Sequence, residues 1–317
     1  MKKRLIAGLL VGAMAVSLSG CGASKTEEAP AAGDSAAEEN AEAEPVTLNV
    51  FAAASMTETL TEIQEMYKDV APNVTLVFNF DSSGTLKTQI QEGADCDLFI
   101  SAAQKQMNQL DKDADPEVNT EGLDYVLEGT RVNLLENKVV LAVPDGNPKD
   151  IESFEDLGTD KLSLLALGNE DVPVGQYSRE IFKNLGIEDD VNKMEINEGK
   201  NVTEVLAAVS EGSNEIGIVY ATDAASVADK VDIIAEAPEG SLKTPVLYPV
   251  GLIVDAEASD AEAAAADAFL AYLQTDDAMK VFEEYGFAAY KADDKKEEAT
   301  EDNEAENADN AESAEEK

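Results

Sequence analysis

Histidine and tryptophan are both missing from these 317 residues. Without histidine the chain lacks the usual general base near neutral pH, the commonest zinc ligand and the central member of a Ser-His-Asp triad. Cations are scarce as well: 23 Lys and Arg stand against 66 Asp and Glu, for a formal net charge of −43. A surface of that sign repels phosphate backbones and anionic bilayers, which excludes nucleic acid and an acidic membrane surface as partners. The excess is not confined to the ends of the chain, because residues 46–291 remain strongly acidic by themselves. Cysteine is nearly absent too, with Cys21 and Cys96 its two representatives.

The N-terminus reads Met1-Lys-Lys-Arg4, an apolar run from Leu5 to Leu18, and then Leu18-Ser-Gly-Cys21. The apolar run falls short of the ~20 residues of a membrane span. Positive start, short apolar middle and small-residue end make 1–20 a signal peptide. Its ending resembles a bacterial lipobox, which implies that Cys21 becomes a lipidated first residue holding the protein at the extracytoplasmic face of the cell membrane. Cys96 is then unpaired, and beside a strand it is expected to be a buried, inert thiol. Residues 21–45 and 292–317, rich in Ala and Glu with no hydrophobic period, are expected to be a tether and an acidic tail without fixed structure.

The stretch that organises the rest is Phe51-Ala-Ala-Ala-Ser-Met-Thr-Glu-Thr-Leu60. Val46–Phe51 reads as a strand. Met56, Leu60, Ile63, Tyr67 and Val70 then recur at helical spacing. Ser55 falls where an N-cap belongs, with Glu58 three residues on, which predicts a capping box. A helix start presents unpaired N–H groups and the positive end of the macrodipole, and both favour an anion. A second junction of the same kind follows: strand-like Val74–Phe80, then Asp81-Ser-Ser-Gly-Thr85, then Leu86, Ile90 and Ala94 on a helix face. Two helix starts at one edge of a parallel sheet would converge on a common point.

Further on, strands are predicted near 97–102, 138–144, 162–167, 215–220, 231–234 and 246–254. Helices are predicted near 103–110, from Tyr177 to a Gly186 C-cap, after an Asn201 N-cap, from about Thr222, and near 260–273 and 275–285. Residues 111–137 give no clear pattern. The alternation makes this an α/β protein with helices on both faces of its sheets, divided by length into two lobes.

Ala52-Ala-Ala-Ser-Met-Thr57, Ser82-Ser-Gly-Thr-Leu86, Gly93–Ala102, Pro173-Val-Gly-Gln-Tyr177 and Gly217-Ile-Val-Tyr220 occur in this order. Together they resemble the molybdate-binding proteins of ABC importers, across essentially 46–290. The resemblance implies a two-lobed, type II periplasmic-binding-protein-like fold, each lobe a mixed sheet flanked by helices, with the ligand in the interlobe cleft. The expected division is 46–130 plus 246–291 for lobe 1 and 131–245 for lobe 2. It implies an oxyanion, molybdate or tungstate, held by Ser55 and Ser83 from the first lobe and by Val174, Val202 and Tyr220 from the second. The serines would give hydroxyl and backbone donors, the valines backbone N–H groups, and Tyr220 its phenol. It also implies a monomeric partner of a membrane permease, without catalysis and without a cofactor, the metal entering only within the bound oxyanion. Asp81 sits oddly beside a dianion and is expected to point away from it.

Other functions remain open from the residues alone. Sulfate or phosphate is also a tetrahedral oxyanion. An extracellular serine hydrolase would need a base, which the absence of histidine denies it. Neither Ser55 nor Ser83 begins a Ser-x-x-Lys motif, because Glu58 and Leu86 stand three residues on.

Overall fold

The computed structural model describes residues 44–291. The signal, Cys21, nearly all of the tether and the acidic tail lie outside the described residues.

The chain begins with β1 (Val46–Ala53), a short 3-10 turn (Ala54–Met56) and α1 (Thr57–Val70). Leu60, Ile63 and Tyr67 of α1 are buried, whereas Val70, at its frayed end, is exposed. Next come β2 (Val74–Asp81), α2 (Ser83–Gln91), β3 (Leu98–Ile100) and α3 (Gln104–Asn108). A long irregular segment leads to β4 (Val132–Asn137). The chain then runs through β5 (Val139–Pro144), β6 (Leu164–Gly168), α4 (Pro173–Leu185), α5 (Glu188–Val191), β7 (Glu195–Gly199), α6 (Val202–Ser210), β8 (Ile216–Tyr220), α7 (Ala221–Ser226) and β9 (Val231–Glu236). It returns through β10 (Val246–Leu252), α8 (Asp260–Tyr272), α9 (Asp276–Glu284) and β11 (Ala288–Ala289).

Two mixed sheets result. The first has the order β11-β4-β10-β3-β1-β2 and the second β7-β6-β8-β5-β9. In the first, β1 runs parallel to β2 and β3, while β10 and β11 run antiparallel to their neighbours. In the second, β6 is parallel to β7 and β8, and β5 is antiparallel to β8 and β9. The expected boundary after residue 130 is displaced. β4 pairs with β10 and β11 in the first sheet, so the chain crosses to the second lobe at Lys138, and it recrosses through 237–245.

Register is what positions the site. Ala53 stands opposite Asp81 at the ends of β1 and β2, so both following helices start at one level. Gly168 stands opposite Gly199 at the ends of β6 and β7, and the helices after them start together as well. In open α/β sheets ligands collect at such carboxyl edges. Cys96 is buried, its thiol pushed up by burial, with Sγ directed at the Leu98 carbonyl.

Candidate functional site: four helix starts and a phenol

Ser55, Ser83, Val174, Val202 and Tyr220 line one small cavity between the lobes. All five are buried. The first four stand in the first turn of a helix, where an N–H has no intrahelical carbonyl to reach. None of these four N–H groups finds another partner among the described residues. Tyr220 ends β8, a strand flanked by β6 and β5, and its hydroxyl is buried without a hydrogen-bond partner. Burial pushes its pKa well above the ordinary range, so the phenol keeps its proton and remains a donor.

The serines do not act as the sequence predicts. Ser55 lies inside the 3-10 turn, and α1 takes Met56 as its N-cap with no side-chain cap bond, so the capping box with Glu58 does not form. Instead Ser55 Oγ lies 2.9 Å from the Tyr248 hydroxyl. Ser82, not Ser83, caps α2, its Oγ accepting the Thr85 N–H at 3.1 Å. Ser83 Oγ accepts the Ala102 N–H at 2.9 Å. In Ser83 an oxygen lone pair is therefore met by the protein and the hydroxyl proton is left over.

The Ser55–Tyr248 pair, in which either hydroxyl can donate, continues into a chain of bonds. Asn137 Nδ2 donates to Thr222 Oγ1 at 2.9 Å and to the Tyr248 oxygen at 3.2 Å. Tyr248 and Asn137 were not singled out by sequence. A tyrosine in an apolar strand and an asparagine at a strand end carry no local signal, and their role comes from contacts more than a hundred residues apart in the chain.

The second-lobe donors depend on glycine. A Cβ at Gly175 would lie 2.1 Å from the Gly168 oxygen, so only glycine lets α4 pack this closely on the end of β6. Arg179 ties the same corner, its Nη1 donating to the Gly168 and Gly175 carbonyls at 2.8 and 2.9 Å. Asn201 caps α6 as predicted, accepting the Glu204 N–H at 3.0 Å. Its Nδ2 also reaches across the cleft to Asp81 Oδ1 at 3.1 Å.

Asp81 lines the cavity. Its Oδ1 is held by the Ser82 N–H at 2.7 Å together with Asn201, which occupies that oxygen with donors of the protein itself. No Lys or Arg lines the cavity. Apart from the Asp81 carboxylate, the site is thus a set of neutral N–H and O–H donors, suited to a compact, fully ionised oxyanion.

Among known proteins, the model of a family described as bacterial extracellular solute-binding protein matches residues 48–288. The molybdate-binding protein ModA of Haemophilus influenzae is 37% identical over 246 residues, covering 76% of this chain and 90% of that protein. A solved structure of the substrate binding domain of a molybdenum ABC transporter from Clostridium difficile is 36% identical, with a TM-score of 0.58 over 78% of this chain and 100% of the other. The Azotobacter vinelandii periplasmic molybdate-binding protein, 21% identical, shares the fold with a TM-score of 0.64 over 77% of this chain and 100% of its own. The architecture is that of a type II periplasmic binding protein. By its family match across nearly all described residues and by these relatives, the chain belongs to the bacterial extracellular solute-binding proteins.

Proposed function

We propose that this protein captures molybdate, and by the same geometry tungstate, outside the cytoplasm and delivers it to an ABC permease, held to the membrane through lipid on Cys21. The observation that carries this reading is the Tyr220 hydroxyl, buried and unpartnered where four helix starts converge. A buried donor without an acceptor is costly, and an oxyanion in the cavity supplies the acceptor. The 37% identical molybdate-binding protein of Haemophilus influenzae and the 36% identical molybdenum-transporter domain of Clostridium difficile support the choice of anion. Leu18-Ser-Gly-Cys21 supports the anchor.

Hydrogen bonds to a charged group contribute roughly 1.5–3 kcal/mol each. Five to seven of them can outweigh the costs of association and desolvation and reach about micromolar affinity or better. Bulk negative charge slows the approach of an anion, but salt screens it beyond about 8 Å. Phosphate near neutral pH carries a proton that needs an acceptor, and the one carboxylate lining the cavity, Asp81, is already engaged at Oδ1 by the Ser82 N–H and Asn201. The catalytic alternative finds no base, because the chain has no histidine and no lysine lines the cavity.

Calorimetric titration of the full chain with molybdate, tungstate, sulfate and phosphate tests this reading. Molybdate and tungstate should bind at about micromolar concentration or below, with phosphate the weakest. Absence of binding heat with excess molybdate would overturn it.

A further inference from the structure

We propose that Gly84 sets the distance to which the two lobes can approach, so that closure over the anion depends on its missing side chain. This rests on the reading of the cavity as an oxyanion site. Gly84 follows Ser83 in the first turn of α2 and does not have a positive φ. Its backbone therefore makes no demand for glycine, and alanine would be the better helix former there. The demand comes from across the cleft. A Cβ at Gly84 would lie 2.1 Å from the backbone oxygen of Asp171 and 2.9 Å from its carbonyl carbon and its Cβ.

Neither side can yield locally. Asp171 sits in a tied loop: its N–H meets Asn169 Oδ1 at 2.9 Å, the Val172 N–H meets the Asn169 carbonyl at 3.2 Å, and the Asn169 N–H meets the Gly199 carbonyl at 3.0 Å. Gly84 is held in a helix capped by Ser82. What remains soft is the separation of the lobes, which are joined by two crossings of the chain. Among the described residues Gly84 is the one glycine whose added Cβ would strike the opposite lobe; those at Gly168, Gly175, Gly199 and Gly217 would strike atoms of their own lobe.

The same seam carries two hydrogen bonds between lobes, Asn201 Nδ2 to Asp81 Oδ1 at 3.1 Å and Gln106 Nε2 to Gln176 Oε1 at 3.2 Å. Val174 lies three residues beyond Asp171, and Val202 follows Asn201. Any wedge at Gly84 therefore draws the second-lobe donors away from an anion still held by Ser55 and Ser83. Gly84 touches the anion through nothing of its own side chain. It is a positioning residue, and its effect should fall on closure rather than on folding.

The test compares Gly84→Ala with the parent in the full chain by thermal unfolding without added anion, calorimetric titration with molybdate, and hydrogen exchange over 81–86 and 169–176. The variant should melt at the parent temperature or higher. It should bind molybdate about ten- to a hundredfold more weakly, the scale of a backbone overlap that is relieved by movement. Amides of 169–176 should exchange faster than in the parent both with and without molybdate. Gln176→Ala, which removes a cross-lobe bond without adding an atom, should weaken binding less. Parent affinity in Gly84→Ala overturns the inference, and so does a lower melting temperature without anion, since the contact would then belong to the fold itself. If the parent fails to bind molybdate, the functional reading falls, and unchanged exchange over 169–176 would separately overturn the role of Gly84.

Discussion

The first lobe meets the cavity with two serines, the second with two valines and the Tyr220 phenol. At Ser55 and Ser83 a side chain lines the cavity, and each hydroxyl has a partner within its lobe, Tyr248 for Ser55 and the Ala102 N–H for Ser83. At Val174 and Val202 the site takes only the backbone N–H, while the side chains are buried in the core. The difference decides what mutation can see. A side-chain donor is removed by alanine, but a backbone donor survives every substitution except proline.

Val202 offers the largest effect. It is the first residue of α6, where proline fits best, and Asn201 before it is extended at φ −149° and ψ 173°, as a residue before proline should be. Val202→Pro should fold yet lose one N–H to a dianion, for a loss of about 2–3 kcal/mol or roughly a hundredfold in molybdate affinity. Val202→Ala keeps the N–H and should bind within about threefold of the parent at some cost in stability. Equal losses in the two variants would erase the distinction between the lobes.

The serines come next. Ser55→Ala and Ser83→Ala should each lose about 1.5–3 kcal/mol of binding, or roughly tenfold or more. Both carry a folding cost as well: Ser83→Ala strands the buried Ala102 N–H, at about 1–3 kcal/mol, and Ser55→Ala takes from the buried Tyr248 hydroxyl one of its two partners. Chemical denaturation beside titration separates the two quantities. The capping cost should instead appear at Ser82, whose alanine variant should lose about 1 kcal/mol of stability.

A smaller effect concerns the floor of the second lobe. Asp223 is buried at the start of α7 and accepts the Tyr220 N–H at 3.2 Å. Burial, with the nearby Glu58 adding to it, raises its pKa from 3.8 to about 8. The folded state then holds a proton that the unfolded chain has released. This group's contribution is complete below about pH 4 and is lost as pH rises toward 8. Asp223→Asn should flatten that decline by up to a few kcal/mol between pH 5 and 8. Parallel stability profiles for parent and variant would show that the carboxyl is ionised throughout.

The same contrast explains what the sequence made legible. Strand–serine–helix junctions are local patterns, so β1 with α1 and β2 with α2 could be read directly, as could Asn201 and Gly186 as caps. β7 could not: it is an edge strand whose Glu195, Asn197 and Glu198 are exposed, and it shows little apolar alternation. β4 was hidden in a segment of turns, and its sheet is fixed by β10, more than a hundred residues later. The capping assignment failed at Ser55 because type and spacing identify a cap-competent hydroxyl, not the partner that tertiary structure brings nearer. Val174, Val202 and Tyr220 came from family resemblance alone, since a backbone donor leaves no mark in residue type.

Tyr220→Phe tests the central claim most directly, because it removes one unpartnered hydroxyl from the cavity and nothing else. Opposite signs are expected in two measurements on one protein. Stability without anion should be unchanged or higher, since a buried donor lacking a partner is gone, while molybdate affinity should fall about tenfold or more. A Tyr220→Phe protein that binds molybdate as tightly as the parent would contradict the assignment of these converging donors to an oxyanion.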